Sequence, residues 1–256
     1  MTGHEASRPE RVLLDVRGLR VAYGKAEVVR DVSFDVRAGE FVVILGRNGA
    51  GKSTILHAIS GLIPKRAGTV VFEGRDLSAA SPREIVQAGI VQVLEGHRVF
   101  QTLSVEDNLL IGTYAKAPRG DRGKLDRVYA LFPELAERRG QMASRLSGGQ
   151  QQILAVAQGV IGEPRLLVLD EPSGGLAPIV IDRILDVAAR LCAEGLAILL
   201  VEQLVEKALR HAHHGYLVET GRIAHSAPAA ALRDGDTVRR VYLGGEPGRA
   251  AADTRS

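Results

Sequence analysis

The chain contains the octapeptide Gly46-Arg47-Asn48-Gly49-Ala50-Gly51-Lys52-Ser53, which is followed by Thr54. It matches the pattern Gly-x-x-x-x-Gly-Lys-Ser/Thr of phosphate-binding loops. The apolar run Phe41–Leu45 predicts a buried strand directly before the loop, and the spacing of apolar residues in Lys52–Leu62 predicts a helix directly after it. Such a loop lets backbone N–H groups converge on phosphate oxygens. We therefore expect the loop to bind ATP, with Lys52 contacting the β- and γ-phosphates and the Ser53 hydroxyl coordinating Mg²⁺.

Two adjacent carboxylates, Asp170 and Glu171, follow the apolar run Leu166–Leu169. A phosphoryl-transfer site needs one acid to hold Mg²⁺, through water, and a second to polarise the attacking water. Asp170 and Glu171 fit these two roles in that order. Without a phosphate-binding loop elsewhere in the chain, an acidic pair at a strand end would more often be a solvated turn.

A second candidate anion site is the segment Leu146-Ser147-Gly148-Gly149-Gln150, which precedes a long helical pattern ending at Ile161. A serine and two glycines at a helix N-terminus leave N–H groups unpaired, and this arrangement favours phosphate. The alternative is an ordinary helix N-cap, because serine is a favoured capping residue.

The remaining pattern predicts an α/β fold that combines an antiparallel β-subdomain with a helical lobe. We expect one domain over residues 11–245, a helical lobe over about 82–162, and flexible tails at 1–10 and 246–256. Residues 82–139 look mostly helical. The other predicted strands are Val12–Val16, Leu19–Tyr23, Val28–Val36, Thr69–Phe72, Ala197–Val201 and a hairpin of Tyr216–Glu219 with Arg222–Ala224; the other predicted helices are Ile179–Glu194 and Gln203–Ala212.

Composition supports a globular protein that acts at a membrane only through partners. The 256 residues are 45% hydrophobic and 25% charged, which is enough for one sizeable core. The single cysteine, Cys192, excludes a disulfide framework and is expected to be a small buried residue. The first residues lack a signal-peptide pattern, and the longest apolar runs are far shorter than the roughly 20 residues of a spanning helix, so we expect a cytoplasmic location. His211, His213 and His214 are interpreted as surface residues near a helix end.

With these three motifs in this order, Val12–Gly244 resembles the ATP-binding-cassette (ABC) ATPases, whose fold is a P-loop NTPase cassette with an antiparallel β-subdomain and a helical signature subdomain. The resemblance implies a head-to-tail dimer of cassettes, in which Ser147–Gln150 of one subunit contacts the γ-phosphate held by the loop of the other. It also places Tyr23 where the family stacks an aromatic ring on adenine. The alternative for Tyr23 is a core tyrosine at a strand edge.

Three departures from the commonest family pattern occur together. Glu95 stands where most members have the glutamine that senses the γ-phosphate and Mg²⁺, Gln203 where most have the switch histidine, and Ala177 in place of an aspartate. This set looks like the ATPases of branched-chain amino-acid importers, as do the segments Glu95–Phe100 and Val241–Gly245; Leu94, Gln101 and Gln158 fit that subgroup less well. The resemblance implies that Gln203 takes part in catalysis and that Glu95 is among the residues that bind Mg²⁺.

The resemblance implies an ATP-hydrolysing subunit that drives import of branched-chain amino acids. Its expected partners are a second cassette, two integral-membrane permeases, one of which docks a short helix near Glu95–Thr113, and an extracytoplasmic solute-binding protein; nucleic acid is not expected. Alternatives in the same class are an importer of urea or short amides and an exporter of lipid material. Alternatives from other classes are a soluble ABC ATPase acting on ribosomes or DNA and a nucleotide-binding regulator without turnover, although the latter would need a damaged catalytic set.

Overall fold

The computed structural model describes residues 11–96, 98–115 and 121–234. Its strands are β1 (Val12–Tyr23), β2 (Ala26–Arg37), β3 (Phe41–Leu45), β4 (Ala67–Phe72), β5 (Arg75–Asp76), β6 (Ile90–Val93), β7 (Leu166–Asp170), β8 (Ala197–Val201), β9 (His214–Glu219) and β10 (Arg222–Pro228). Its α-helices are α1 (Lys52–Ile59), α2 (Pro82–Ala88), α3 (Val105–Ile111), α4 (Leu125–Leu131), α5 (Pro133–Ala136), α6 (Gly148–Ile161), α7 (Pro178–Ala193), α8 (Val205–His211) and α9 (Ala229–Asp234). The predicted tails, His97 and residues 241–245 lie outside the described residues.

The larger sheet has the strand order β10-β9-β3-β8-β7-β6. Strands β9, β3, β8, β7 and β6 are parallel, and β10 adds an antiparallel edge. Neighbouring residues of the central strands face opposite sides: Phe41, Val43 and Leu45 belong to one hydrophobic cluster, and Val42 and Ile44 to the other. Because both faces are covered, these strands read as unbroken apolar runs rather than as alternating ones.

A second, antiparallel sheet has the order β2-β1-β4-β5 and covers one face of the larger sheet together with α1. Two separate strands were predicted over Val12–Tyr23, but the structure has one continuous strand with a register shift between Val16 and Leu19. Gly18 lies within that shift at φ 59°. The polar and glycine residues that suggested a break therefore form a bulge.

The predicted helical character of residues 82–139 is wrong at Ile90–Val93, which forms β6 and pairs in parallel with β7. Helix α2 ends at Ala88 and is capped by Gly89, whose φ of 113° turns the chain directly into this strand. A run of four apolar and polar residues is too short for periodicity to separate strand from helix. The core sheet thus extends into the range assigned to the helical lobe. Helix α9 was not predicted from the sequence.

Helices α3 to α6 form the helical lobe, and their apolar residues join the hydrophobic cluster on the other face of the larger sheet. Helices α3 and α6 approach closely at Gly112, where a Cβ atom would lie 2.2 Å from the carbonyl oxygen of Gln158. Among the described residues, no helix has the length and apolar character required to cross a bilayer.

Of the three histidines near the end of α8, His214 contradicts the surface interpretation, whereas His213 agrees with it and His211 is half-buried. His214 is buried, and its Nε2 lies 2.9 Å from the Ser226 hydroxyl. His213 is exposed, yet its Nδ1 accepts a hydrogen bond from the backbone N–H of Phe41 at 2.9 Å. His214 thus connects β9 with β10, and His213, directly before β9, connects the chain to the start of β3.

Candidate nucleotide-binding and hydrolysis site

The loop between β3 and α1 has a backbone that only glycine can supply at several positions. A Cβ atom on Gly46 would lie 2.4 Å from the Val218 carbonyl oxygen. Gly49 and Gly51 have φ values of 77° and 101°, in the left-handed region that side chains disfavour. Arg47 and Asn48 are exposed at the tip of the loop, and Ala50 is buried. The sequence pattern therefore reflects backbone geometry, as the phosphate-loop prediction requires.

Lys52 begins α1, and its side chain points back across the loop. It is only 3% exposed, and its Nζ donates to the carbonyl oxygens of Gly46 at 2.9 Å and Arg47 at 3.3 Å. The same Nζ lies 3.1 Å from Oε1 of Glu171. The structure thus places the predicted phosphate-binding cation against the predicted catalytic carboxylate.

Parallel pairing brings the ends of β3, β7 and β8 to one edge of the sheet, where the loop, Asp170-Glu171 and Gln203 meet. Asp170 ends β7, and its Oδ1 accepts a hydrogen bond from the Ser53 hydroxyl at 2.9 Å. Burial raises the pKa of the Asp170 carboxyl above its usual value; the Ser53 hydrogen bond and the nearby His57 ring oppose that rise, whereas Glu171 and Glu95 add to it. A buried carboxylate of this kind is stabilised by a cation.

Glu171 has an unusual backbone conformation for a side-chain-bearing residue, with φ at 43°. Its N–H donates to the Val201 carbonyl oxygen at 2.9 Å, which ties the end of β7 to β8. Its Oε2 accepts a hydrogen bond from Nε2 of Gln203. Left-handed conformations of non-glycine residues cluster at functional sites, and here the conformation holds the carboxylate between Lys52 and Gln203.

The residues around Asp170 fit a Mg²⁺ ion in part. Ser53 and Asp170 supply a hydroxyl and a carboxylate oxygen that already lie 2.9 Å apart, and hard oxygen ligands are those that Mg²⁺ prefers. Glu95 is exposed and is close enough to Asp170 to disfavour its ionisation. However, the described part of the chain holds no group of three acidic, histidine or cysteine side chains suited to a metal. A direct Glu95 contact with Mg²⁺ therefore remains a prediction.

The segment Leu146–Gln150 is a helix N-terminus, so the N-cap alternative describes its local structure correctly. The Ser147 hydroxyl accepts from the Gln150 N–H at 3.3 Å, and the Gln150 side chain accepts from the Ser147 N–H at 3.0 Å. Leu146 is buried beneath this capping box. Gly149 faces Val180 of α7, where a Cβ atom would lie 2.9 Å from Cγ2 of the valine. An N-cap and an anion site are compatible, because the first N–H groups of the helix remain without helical acceptors.

Tyr23 lies at the end of β1, immediately before Gly24, and is 52% exposed. Such exposure excludes the core-tyrosine alternative for this residue. It leaves a free aromatic ring, as stacking on a base requires. A contact with adenine remains a prediction.

Two residues that contact Asp170 were missed in the sequence. Gln92 of β6 donates from Nε2 to Oδ2 of Asp170 at 3.4 Å, and Nε2 of His57 lies 3.4 Å from the same oxygen. For His57 a signal was present, since it follows Ser53 by four residues and so shares its helix face. Gln92 could be placed only after β6 was known to pair with β7.

The sequence model of the family described as ABC transporter matches residues 29–174. The chain therefore belongs to the ABC transporter family, and it is an ATP-hydrolysing cassette of that family.

The proteins that this chain resembles include ATP-binding proteins of two kinds of transport system. The chain is 42% identical over 223 residues, covering 87% of this chain and 96% of its relative, to the high-affinity branched-chain amino acid transport ATP-binding protein BraG of Pseudomonas aeruginosa. It is 33% identical over 234 residues, covering 90% of this chain and 97% of the relative, to the lipopolysaccharide export system ATP-binding protein LptB of Escherichia coli. Its fold is similar to the ADP conformation of an ATP-binding cassette of an ABC transporter, with a TM-score of 0.81, 24% identity, and coverage of 92% of this chain and 100% of the other.

Proposed function

We propose that this protein hydrolyses ATP to drive the import of branched-chain amino acids. The observation that carries the substrate class is the 42% identity to BraG, which extends over 96% of that protein. The joint presence of Glu95, Gln203 and Ala177 favours the same subgroup, because these residues depart from the commonest family pattern in a way that resembles such importers.

The proposed chemistry assigns each side chain at the sheet edge a separate task. The loop N–H groups and Lys52 bind the β- and γ-phosphates, and Lys52 then exchanges its contact with Glu171 for a phosphate oxygen. Glu171, once released, orients the attacking water and accepts its proton. Gln203, which already meets Glu171, donates its amide hydrogens within the site.

Ser53 and Asp170 would hold Mg²⁺, directly or through water, and Glu95 would lie beside it. A Mg²⁺ ion held there would neutralise negative charge on the phosphates of the nucleotide. The raised pKa of Asp170 supports this assignment, because a buried carboxylate of this kind gains most from a neighbouring cation.

The proposed working unit contains two cassettes arranged head to tail. In that arrangement Ser147–Gln150 of one chain face the ATP held by the loop of the other, and Tyr23 of the chain that holds the ATP stacks on its adenine. The free N–H groups at the start of α6 suit this contact, because the helix dipole is positive there.

Coupling to a membrane is proposed through the groove between β6, α3 and α6. This groove has a volume of about 260 Å³, and polar side chains of Gln92, Arg98 and Gln158 line it together with the apolar Leu94 and Ile111. Three of its lining residues, Arg98, Ile111 and Gly112, belong to the predicted docking region Glu95–Thr113 for a short helix of a permease. The chain would then act on the cytoplasmic face of the membrane with two permeases and an extracytoplasmic solute-binding protein.

A second candidate is the export of lipid material, which is favoured by the 33% identity to LptB over 90% of this chain. The two functions differ in the membrane partners rather than in the chemistry of ATP hydrolysis. The lower identity places this candidate second.

To test the proposal, the tagged chain is purified gently from its native membranes, and the proteins that accompany it are identified by mass spectrometry. We expect two multi-span permeases, a second cassette and a solute-binding protein. The recovered complex, reconstituted in vesicles with labelled leucine, is expected to accumulate leucine with ATP, and a Lys52→Ala complex is expected not to do so. Recovery of lipid-export components, ribosomes or DNA-repair proteins instead of permeases and a binding protein would refute import.

A further inference from the structure

Glu202 is a fully buried carboxylate at the end of β8 that the proposed chemistry leaves without a task. It is 0% exposed. Its Oε2 accepts hydrogen bonds from the Ser173 hydroxyl at 2.9 Å, from the Gln203 N–H at 2.6 Å and from the Leu204 N–H at 3.4 Å. Its Oε1 is buried and finds no hydrogen-bond partner within the part of the chain that the structure describes.

A buried carboxylate of this kind is poorly explained by stability alone. Burying a charge is costly unless the charge is well paired, and an apolar residue of similar volume is often equally stable in its place. Hydrogen bonds to a carboxylate are, however, shorter and about twice as strong as neutral ones. The three hydrogen bonds to Oε2 therefore hold the local main chain firmly, whereas Oε1 has no hydrogen bond among the described residues.

The donors belong to two chain segments: the one that carries Glu171 and the one that carries Gln203. Gln203 donates its backbone N–H to Glu202 and its side-chain amide to Glu171. Ser173 follows Glu171 by two residues, and its hydroxyl donates to the same carboxylate oxygen of Glu202. The Glu171 N–H reaches Val201, the residue before Glu202, at 2.9 Å. Glu202 thus lies at the junction of both segments.

We propose that Glu202 is a positioning residue for ATP hydrolysis, which holds the main chain of Gln203 so that the Gln203 amide meets Glu171. Glu202 itself contacts neither ATP nor the attacking water. This inference rests on the proposed roles of Glu171 and Gln203 in hydrolysis. It differs from them in that Glu202 acts only through Gln203.

The main test is a double-mutant cycle with Glu202→Gln and Gln203→Ala, read out by steady-state ATP hydrolysis. Glutamine keeps the shape and one accepting oxygen but replaces charge-assisted hydrogen bonds with neutral ones. We expect Glu202→Gln to lower kcat about tenfold, a loss comparable to the contribution of one hydrogen bond. The KM for ATP is expected to stay unchanged. In the Gln203→Ala background the same substitution is expected to change kcat less than twofold.

Two further variants separate positioning from folding. Ser173→Ala removes one donor from Glu202 but leaves the carboxylate in place, and we expect a smaller fall in kcat that also disappears in the Gln203→Ala background. Glu40→Gln is the matched control: Glu40 is also 0% exposed and accepts from the Arg37 N–H at 2.8 Å, but it precedes β3, at the opposite end of that strand from the phosphate loop. It is expected to lower the melting temperature without changing kcat.

Each outcome decides the inference. Independent, multiplying effects of Glu202→Gln and Gln203→Ala would overturn it, as would wild-type kcat in Glu202→Gln. If Glu202→Gln does not fold, the result for Ser173→Ala decides in the same way. A wild-type rate in Gln203→Ala would reject the proposed role of Gln203 and the inference with it, whereas the absence of ATP hydrolysis in the wild-type complex would reject the proposed function itself.

Discussion

At the scale of single residues, the phosphate loop depends on the absence of side chains as much as on Lys52. Gly46 shows this most clearly, because the Val218 carbonyl oxygen occupies the space of its missing Cβ atom. A backbone oxygen cannot rotate away as a side chain can. The loop and strand β9 are therefore fixed against each other at this point.

We expect Gly46→Ala to force the loop away from β9, since its Cβ atom would lie 2.4 Å from the Val218 oxygen. Overpacking of this kind costs about 1–3 kcal/mol of the free energy of unfolding. ATP affinity should fall as well, because the displaced N–H groups no longer converge on phosphate. Chemical denaturation and nucleotide titration measure the two effects.

Gly140→Ala is the matched control, because a Cβ atom on Gly140 meets nothing within 4 Å. It should leave both the free energy of unfolding and ATP affinity near wild type. Equal effects of the two substitutions would contradict the steric account of the loop.

The sequence predicted the site residues that belong to motifs and missed those that depend on tertiary contacts. Lys52 ends a glycine-rich loop that follows an apolar strand, Asp170 and Glu171 follow another apolar run, and the chemistry dictates these residue types. Gln92 contacts Asp170 only because β6 pairs with β7, and Glu202 contacts Ser173 only because β7 pairs with β8. An isolated glutamine or glutamate carries no such signal in the sequence.

At the scale of elements, long periodic segments were predictable and short ones were not. Helix α7 and strand β8 were predicted to within about one residue of their observed ends. Strand β6 was missed because its four residues follow a helix and are too few to show a period. Two strands were predicted on either side of Gly18, but the structure has one continuous strand with a bulge there. A glycine within a strand can mark a bulge as well as a break.

Helix α7 also permits a prediction about Cys192, which packs its thiol against the Gly39 carbonyl oxygen at 3.3 Å. Burial, with a contribution from the Glu40 carboxylate, raises the pKa of this thiol from 9.0 to about 11. At pH 8 the reactive thiolate is therefore about a hundredfold scarcer than in an ordinary thiol. We expect very slow alkylation of the folded protein by iodoacetamide.

Labelling is followed by mass spectrometry, and since Cys192 is the single cysteine the result is unambiguous. The denatured chain serves as the control and should react at the rate of a free thiol. Equally fast labelling of the folded protein at pH 8 would show that α7 does not cover Cys192 in the manner described.

At the scale of the whole molecule, the fold explains why residues more than a hundred positions apart form one site. Lys52 and Glu171 meet because β3 and β7 both flank β8 in a parallel sheet and end at the same edge. The fold class was predictable from the order of the three motifs. A second cassette opposite Ser147–Gln150 was implied by resemblance alone, because nothing in one chain's sequence encodes which surface faces a partner.

The central claim is that Glu171 is the carboxylate required for hydrolysis of ATP bound within a pair of cassettes. The most direct measurement is ATP hydrolysis and molar mass, by light scattering with ATP and Mg²⁺, for wild type, Glu171→Gln and Glu163→Gln. Glu163 is the matched control, because it also has a positive φ, 47°, but precedes β7 rather than following it. We predict that Glu171→Gln loses about a hundredfold or more in turnover and persists as an ATP-bound dimer, while Glu163→Gln hydrolyses ATP like wild type. Wild-type turnover in Glu171→Gln, or hydrolysis by a chain that stays monomeric throughout, would contradict the account.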